Sequence, residues 1–124
     1  MTKRLVIAEK PSVASDIANA LGPFESHDKG AWYETADYLI SYAVGHLLEL
    51  DDPAKYNKEL KGWSLKKLPI IPDDFSYSPR DGSAQKRLAV LRKLAKRKDC
   101  SGIVNACDAG REGEHIFRTV AKHL

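Results

Sequence analysis

The sequence predicts an α/β fold, a mostly parallel sheet flanked by helices and interrupted by one hairpin and one irregular insertion. Two short β-branched runs, at 4–8 (Arg-Leu-Val-Ile-Ala) and 102–107 (Gly-Ile-Val-Asn-Ala-Cys), each lead directly into a segment of helical periodicity. Consecutive apolar positions of that length read as strands covered on both faces, as in a parallel sheet. A third β-rich stretch precedes residues 50–78, where five prolines and glycines break any long element: Pro53, Gly62, Pro69, Pro72 and, just beyond, Pro79.

Each element has its own local reason. After the first strand, Pro11 and Ser12 supply a helix start, because proline's missing N–H costs nothing in a first turn. Val13, Ile17, Ala20 and Leu21 then recur at helical spacing until Gly22-Pro23 stops the pattern. Strand followed by amphipathic helix is half of a βαβ unit. Residues 31–35 and 38–44 are aromatic and β-branched and flank Ala36-Asp37, which predicts a hairpin. The insertion at about 50–80 is expected to hold one short helix and to bury Trp63, Leu65, Leu68, Ile70, Ile71 and Phe75. Ser83 is the expected cap of the next helix, whose Ala84, Leu88, Leu91 and Ala95 share a stripe opposite Lys86, Lys93, Lys96 and Arg97. A last helix follows Gly110, with Ile116, Phe117, Val120, Ala121 and Leu124 on its apolar face.

Composition narrows the function classes. At 124 residues, with 43% hydrophobic and 30% charged residues, the chain suits one globular domain with a core of useful size. No apolar run is long enough for a membrane span or a signal peptide, so the cytoplasm is the expected compartment. Cys100 and Cys107, too few for a disulfide framework or zinc knuckle, read as buried small hydrophobes. No histidine has ligand-like spacing to either cysteine. The formal net charge is only +3, but residues 80–98 alone carry +7, leaving −4 elsewhere. A basic helix and an acid-rich site are thus separate features of one chain.

The acids have a definite place. In an open parallel sheet, ligands sit beyond the carboxyl ends of the strands. Both apolar strands end there in an acid: Glu9 after the first, Asp108 after the second. Residues 108–114, Asp-Ala-Gly-Arg-Glu-Gly-Glu, then bring Glu112, with Glu114 as a further candidate, into the first turn of the last helix. Converging carboxylates repel, and a hard cation such as Mg²⁺, which takes oxygen ligands and keeps several waters, relieves that repulsion. Lys10, the helix start at Pro11-Ser12 and Arg111 add positive groups at the same edge. Carboxylates for metal beside cationic donors suit a phosphodiester. Read singly, each residue has a plainer reading: Glu9 and Lys10 as exposed strand-end residues, Asp108 as a helix N-cap, Glu112 and Glu114 as complements to the helix dipole, Arg111 as an ion-pair partner.

Four blocks resemble one family. Ile7-Ala8-Glu9-Lys10-Pro11-Ser12, Gly45-His46-Leu47-Leu48-Glu49-Leu50, Leu68-Pro69-Ile70-Ile71-Pro72 with Phe75, and Asp108 to Glu114 with Ile116-Phe117-Arg118 are similar to successive blocks of the type IA DNA topoisomerases, in particular topoisomerase III. The resemblance covers the whole chain and implies a Toprim-like, Rossmann-like domain at 1–124, cut short before its last strand. It implies an enzyme that cuts and rejoins single-stranded DNA through a tyrosine. By that resemblance Glu9 is the acid/base and a metal ligand, Asp108 and Glu112 hold Mg²⁺, and Lys10 steadies the scissile phosphate. Ser12, Arg111 and His46 would contact DNA. The family's tyrosine lies in a downstream domain; Tyr33, Tyr38, Tyr42, Tyr56 and Tyr77 all precede Asp108 and match nothing in its motif, so no nucleophile is expected in this chain, and no relaxation of DNA by it alone. Where the family has a second aspartate the chain has Gly110, giving Asp-x-Gly-x-Glu, which removes one ligand and predicts weaker Mg²⁺ binding. The competing readings are a Toprim nuclease or primase-like enzyme, acting through metal alone, and a non-catalytic nucleic-acid-binding module.

Overall fold

The computed structural model describes residues 1–62 and 64–124. Its main sheet has the order β2-β3-β4-β1-β7, with β1 at Lys3–Ala8, β2 at Glu25–His27, β3 at Trp32–Glu34, β4 at Tyr38–Tyr42 and β7 at Cys100–Ala106. β4, β1 and β7 run parallel, and β3 and β2 extend the sheet antiparallel beyond β4. The predicted hairpin is β3–β4. β2, whose Glu25-Ser26-His27 carries no apolar alternation, is a strand the sequence pattern does not announce; it forms because β3 offers it a free edge.

Helices cover both faces. On one, α1 (Pro11–Ala20) lays Ala14 and Ala18 against Val6, Ala8 and Ile40. On the other, α3 (Gly82–Ala95) and α4 (Arg111–His123) bury Leu88, Leu91, Leu94, Ile116 and Val120 against Leu5, Ile7 and Leu39. The central strand β1 is therefore sealed on both sides, and Leu5, Ile7 and Ala8 are fully buried. Burying each large aliphatic side chain there contributes roughly 1.5–3 kcal/mol. Small residues do the close packing in α1: Ala14 and Ala18 are buried, whereas Ala20 and Leu21 of the expected stripe are exposed. Gly22 takes φ +106° just past that helix, a left-handed stop that glycine adopts without strain.

Four expectations are corrected. Asp81, not Ser83, caps α3: its carboxylate accepts the Ala84 N–H at 2.7 Å, and Ser83 lies inside the helix. Leu94 rather than Ala95 completes the buried stripe of α3. β7 is not sealed like β1, because it is the edge of the sheet; its residues alternate between half-buried and exposed, and Ile103 remains 37% exposed. The insertion holds a two-stranded antiparallel ribbon, β5 (Leu48–Leu50) with β6 (Tyr77–Pro79), the short helix α2 (Pro53–Tyr56) and two 3₁₀ turns. It leaves most of these side chains outside: Leu65 is 88% and Ile71 78% exposed, with Leu68 and Phe75 about half so, while Ile70 is half-buried. Its elements are too short to cover them. Trp63 lies outside the described residues.

Candidate active site

Parallel pairing brings the two acid-tipped strands together. β1 and β7 are neighbours with Ala8 in register with Ala106, so Glu9 and Asp108 leave the same end of the sheet one strand apart. Their carboxyls are close enough for the charge of Asp108 to act on Glu9. The Glu9 carboxyl is held above its ordinary value, first by partial burial, then by the charge of Asp108 and its hydrogen bond, and further by Glu112; Lys10 opposes the rise.

The loop after β4 closes over this edge. Ala43 donates its N–H to the Ala8 carbonyl and Gly45 donates to the Glu9 carbonyl, which ties the loop to the tip of β1. Gly45 has φ +62°, and the turn it makes directs His46 across to α4. There His46 Nε2 and Glu112 Oε1 are 3.1 Å apart. The ring of His115 follows, 6.1 Å from that of His46.

Two of the plainer readings of the acidic segment fail on geometry, while Glu112 and Glu114 do lie in the first turn of α4, where they complement its dipole. Gly110, not Asp108, is the N-cap of α4, and no side chain caps that helix. Arg111 is exposed and makes no ion pair among the described residues. Glu114 is drawn away: it accepts from Asn105 at 2.9 Å and from Arg118 at 2.6 Å. Lys10 and Ser12 are exposed at the start of α1, with Lys10 at its N-cap and the first-turn N–H groups beside them. Glu9, Lys10, Asp108, Glu112 and His46 thus cluster at one edge, with Ser12 and Arg111 at its rim.

Sequence reasoning passed over Gly113. It is buried in the first turn of α4, and a Cβ there would run into the backbone of Asp108. Its absence lets α4 press against the residue that carries the site's second carboxylate. A glycine inside a helix costs about 1 kcal/mol against alanine, and that cost was the available signal. Cys107, just before Asp108, is half-buried: burial, and then Glu9 and Asp108, push its thiol up to about 11.

Much of the 80–98 charge is structural. Arg87 stacks on the Tyr42 ring at 4.1 Å and donates to the Ala31 carbonyl and Ser41 Oγ. Arg92 donates to the His123 carbonyl, and Arg97, expected on the solvated face, binds Glu34 and Asp99. Lysines make up most of what remains outside.

Among the described residues, no group of three His, Cys, Asp or Glu side chains is arranged to hold a metal ion. The facing pair Glu9 and Asp108 still fits a magnesium ion, which binds through one or two carboxylates and keeps its other positions for water and phosphate oxygens. Burial is the larger cause of the Glu9 rise, and the like-charge repulsion from Asp108 and Glu112 that adds to it is what such a cation relieves.

A family model described as the Toprim domain matches residues 4–124. The chain belongs to the Toprim family. This Toprim domain is 43% identical over 121 residues to DNA topoisomerase 3 of Bacillus subtilis and, at the same identity, to that of Bacillus licheniformis. It is 41% identical to DNA topoisomerase 3 of Bacillus cereus. These matches span 97% of the chain but 16% of each relative's length. Among the described residues, no helix is long and apolar enough to cross a membrane.

Proposed function

We propose that this Toprim domain is the carboxylate half of a type IA topoisomerase centre, working in the cytoplasm on single-stranded DNA with a tyrosine supplied by another domain of a longer protein. One observation carries the reading: Glu9 and Asp108 stand side by side at the tips of adjacent parallel strands, close enough for one to perturb the other.

The division of labour follows from the environments. Glu9, whose raised pKa keeps part of its population protonated nearer neutrality than an ordinary glutamate, gives its proton to the 3′ oxygen as the P–O bond breaks and takes it back on rejoining. The tyrosine oxygen forms the new bond to phosphorus in the same step and releases its proton to water, from which it is recovered on rejoining. Asp108 and Glu9 would hold Mg²⁺, with Glu112 as a further ligand or in its outer shell. When bound, the ion supplies charge neutralisation at the phosphate. Lys10 and the first-turn N–H groups of α1 at Ser12 meet a phosphate oxygen, and Arg111 at the rim meets the neighbouring phosphate. His46 holds Glu112 in its rotamer.

Two measurements test this. Calorimetric titration of Mg²⁺ into the chain should give weak binding that Asp108→Ala abolishes; unchanged binding in that variant sinks the metal assignment. In the longer parent, Glu9→Gln should impair both cleavage and rejoining. Mg²⁺-dependent nicking or primer synthesis by this chain alone would support the nuclease or primase-like reading instead.

A further inference from the structure

α4 carries a basic stripe of which the carboxylate site uses only the first residue, Arg111. Arg111, His115, Arg118 and Lys122 are all exposed and fall at i, i+4, i+7 and i+11, on one side of the helix. The buried Gly113, Ile116 and Val120 lie on the other side. At 1.5 Å per residue, successive cations are spaced by ~4.5–6 Å along the axis. The stripe begins beside Glu112 and leads away from the strand-end acids.

Its distal half borders a groove of about 380 Å³ between α4 and the segment entering β6. Arg118, Thr119 and Lys122 line one wall; Phe75 and Tyr77 line the other, with Asp74 as the groove's acid. Phe75 is 49% exposed, so a ring face is available to solvent. His115 bridges groove and site, its ring 6.2 Å from Tyr77 and 6.1 Å from His46. Lys122 makes no ion pair among the described residues, and Arg118 pairs only with Glu114 at the surface, a contact weak enough to be exchanged for a phosphate.

We propose that this groove is a track for single-stranded DNA, continuous with the carboxylate site. Arg118 and Lys122 hold successive phosphates and Phe75 stacks on an unpaired base. Cations along one wall and an exposed aromatic on the other are the two parts of a sequence-tolerant single-strand site. The stacking wall selects against duplex, whose bases are not free. The proposal rests on the DNA reading above but not on the metal: the track lies outside the carboxylate cluster.

The test is fluorescence anisotropy of a labelled oligodeoxythymidylate with the 124-residue chain, in EDTA, over a salt series. Working without divalent cation separates this proposal from the metal assignment, which the Mg²⁺ titration judges independently. Arg118→Glu with Lys122→Glu should weaken binding by on the order of tenfold at low salt and flatten the slope of log K against log salt by about 1.4. Phe75→Ala should weaken it roughly fivefold or more. Lys93→Glu with Lys96→Glu, on the exposed face of α3, should change it by less than about twofold. All five positions are exposed, and circular dichroism is the check that each variant folds. The track is refuted if the α3 pair rather than the α4 pair removes binding, or if the wild-type chain binds no single strand at low salt.

Discussion

Gly113 and Asp108 are packed so closely that a Cβ on the glycine would sit 2.1 Å from the Asp108 carbonyl oxygen. The helix that carries Glu112 is thereby seated on the turn that carries Asp108. Gly113→Ala sets two effects against each other. Alanine gains about 1 kcal/mol over glycine inside a helix, while overpacking costs up to about 3 kcal/mol. The collision is with backbone, which has no rotamer to escape into, so the cost wins. A net loss of about 2 kcal/mol is expected by urea denaturation, together with weaker Mg²⁺ binding as Asp108 is displaced. A more stable variant would show that α4 has slack at this point.

Gly110 is the opposite case. Its φ of −172° is extended backbone open to any residue, and a Cβ there meets nothing within 4 Å. Gly110→Asp should therefore fold without strain. As an N-cap, aspartate improves on glycine by a few tenths of a kcal/mol. As a third carboxylate beside Glu9 and Asp108 it should tighten Mg²⁺ by about tenfold, since added ligand charge is what raises affinity for a hard cation. Stability in EDTA reports the cap, and calorimetry reports the ligand. A gain in the first without the second would mean that position 110 faces away from the acids.

Asp108→Asn isolates the coupling between the strand-end carboxyls. Burial is the larger cause of the elevated Glu9 pKa and survives the substitution, while the charge of Asp108 does not. Glu9 should therefore titrate lower in the variant than in the wild type, moving toward 4.5. Carboxyl carbon NMR of Glu9 reads this directly. An unmoved Glu9 would leave burial as the whole cause and the two carboxyls uncoupled.

What the sequence made legible is the part governed by local chemistry. The apolar run of β1, the Pro11 start and Gly22 stop of α1, and the acids at both strand tips are each readable from a few residues, and parallel pairing then forces Glu9 and Asp108 together. Features set by tertiary context were not readable. β2 has no pattern of its own and exists because β3 presents an edge. Leu65 and Ile71 have the composition of core residues, yet no neighbouring element is long enough to bury them. Arg97 looks like one more cation on a solvated helix until the fold carries Glu34 and Asp99 to it. At the site, the carboxylates were visible in one dimension, but the diversion of Glu114 to Asn105 and Arg118 was not, because both partners depend on where β7 and α4 meet.

The Arg97 cluster gives a prediction about acid stability. Arg97 grips Glu34 with two nitrogens at 3.0 and 3.2 Å and Asp99 with two more contacts at 2.7 and 2.9 Å, while Lys3 reaches Glu34 at 2.8 Å. These contacts join β1, β3 and the start of β7 at the edge opposite the candidate site. The hydrogen bonds from Arg97 are the chief reason that both carboxyls lie below their ordinary values of 4.5 and 3.8. A carboxyl with a depressed native pKa lends stability above its unfolded pKa and loses it as the pH falls through the native one. Arg97 stays charged throughout and contributes nothing to the slope. Wild-type stability should thus decline as the pH drops below about 4.5. Glu34→Gln removes the charged acceptor from a partly buried pair, which should cost about 1–2 kcal/mol at pH 7. Below pH 4.5 its stability curve should be flatter, so that the two proteins converge in acid. Denaturation midpoints in urea from pH 7 down to the acid limit follow both curves. Parallel curves would mean that Glu34 has the same pKa folded and unfolded, and that its grip by Arg97 is geometric rather than electrostatic.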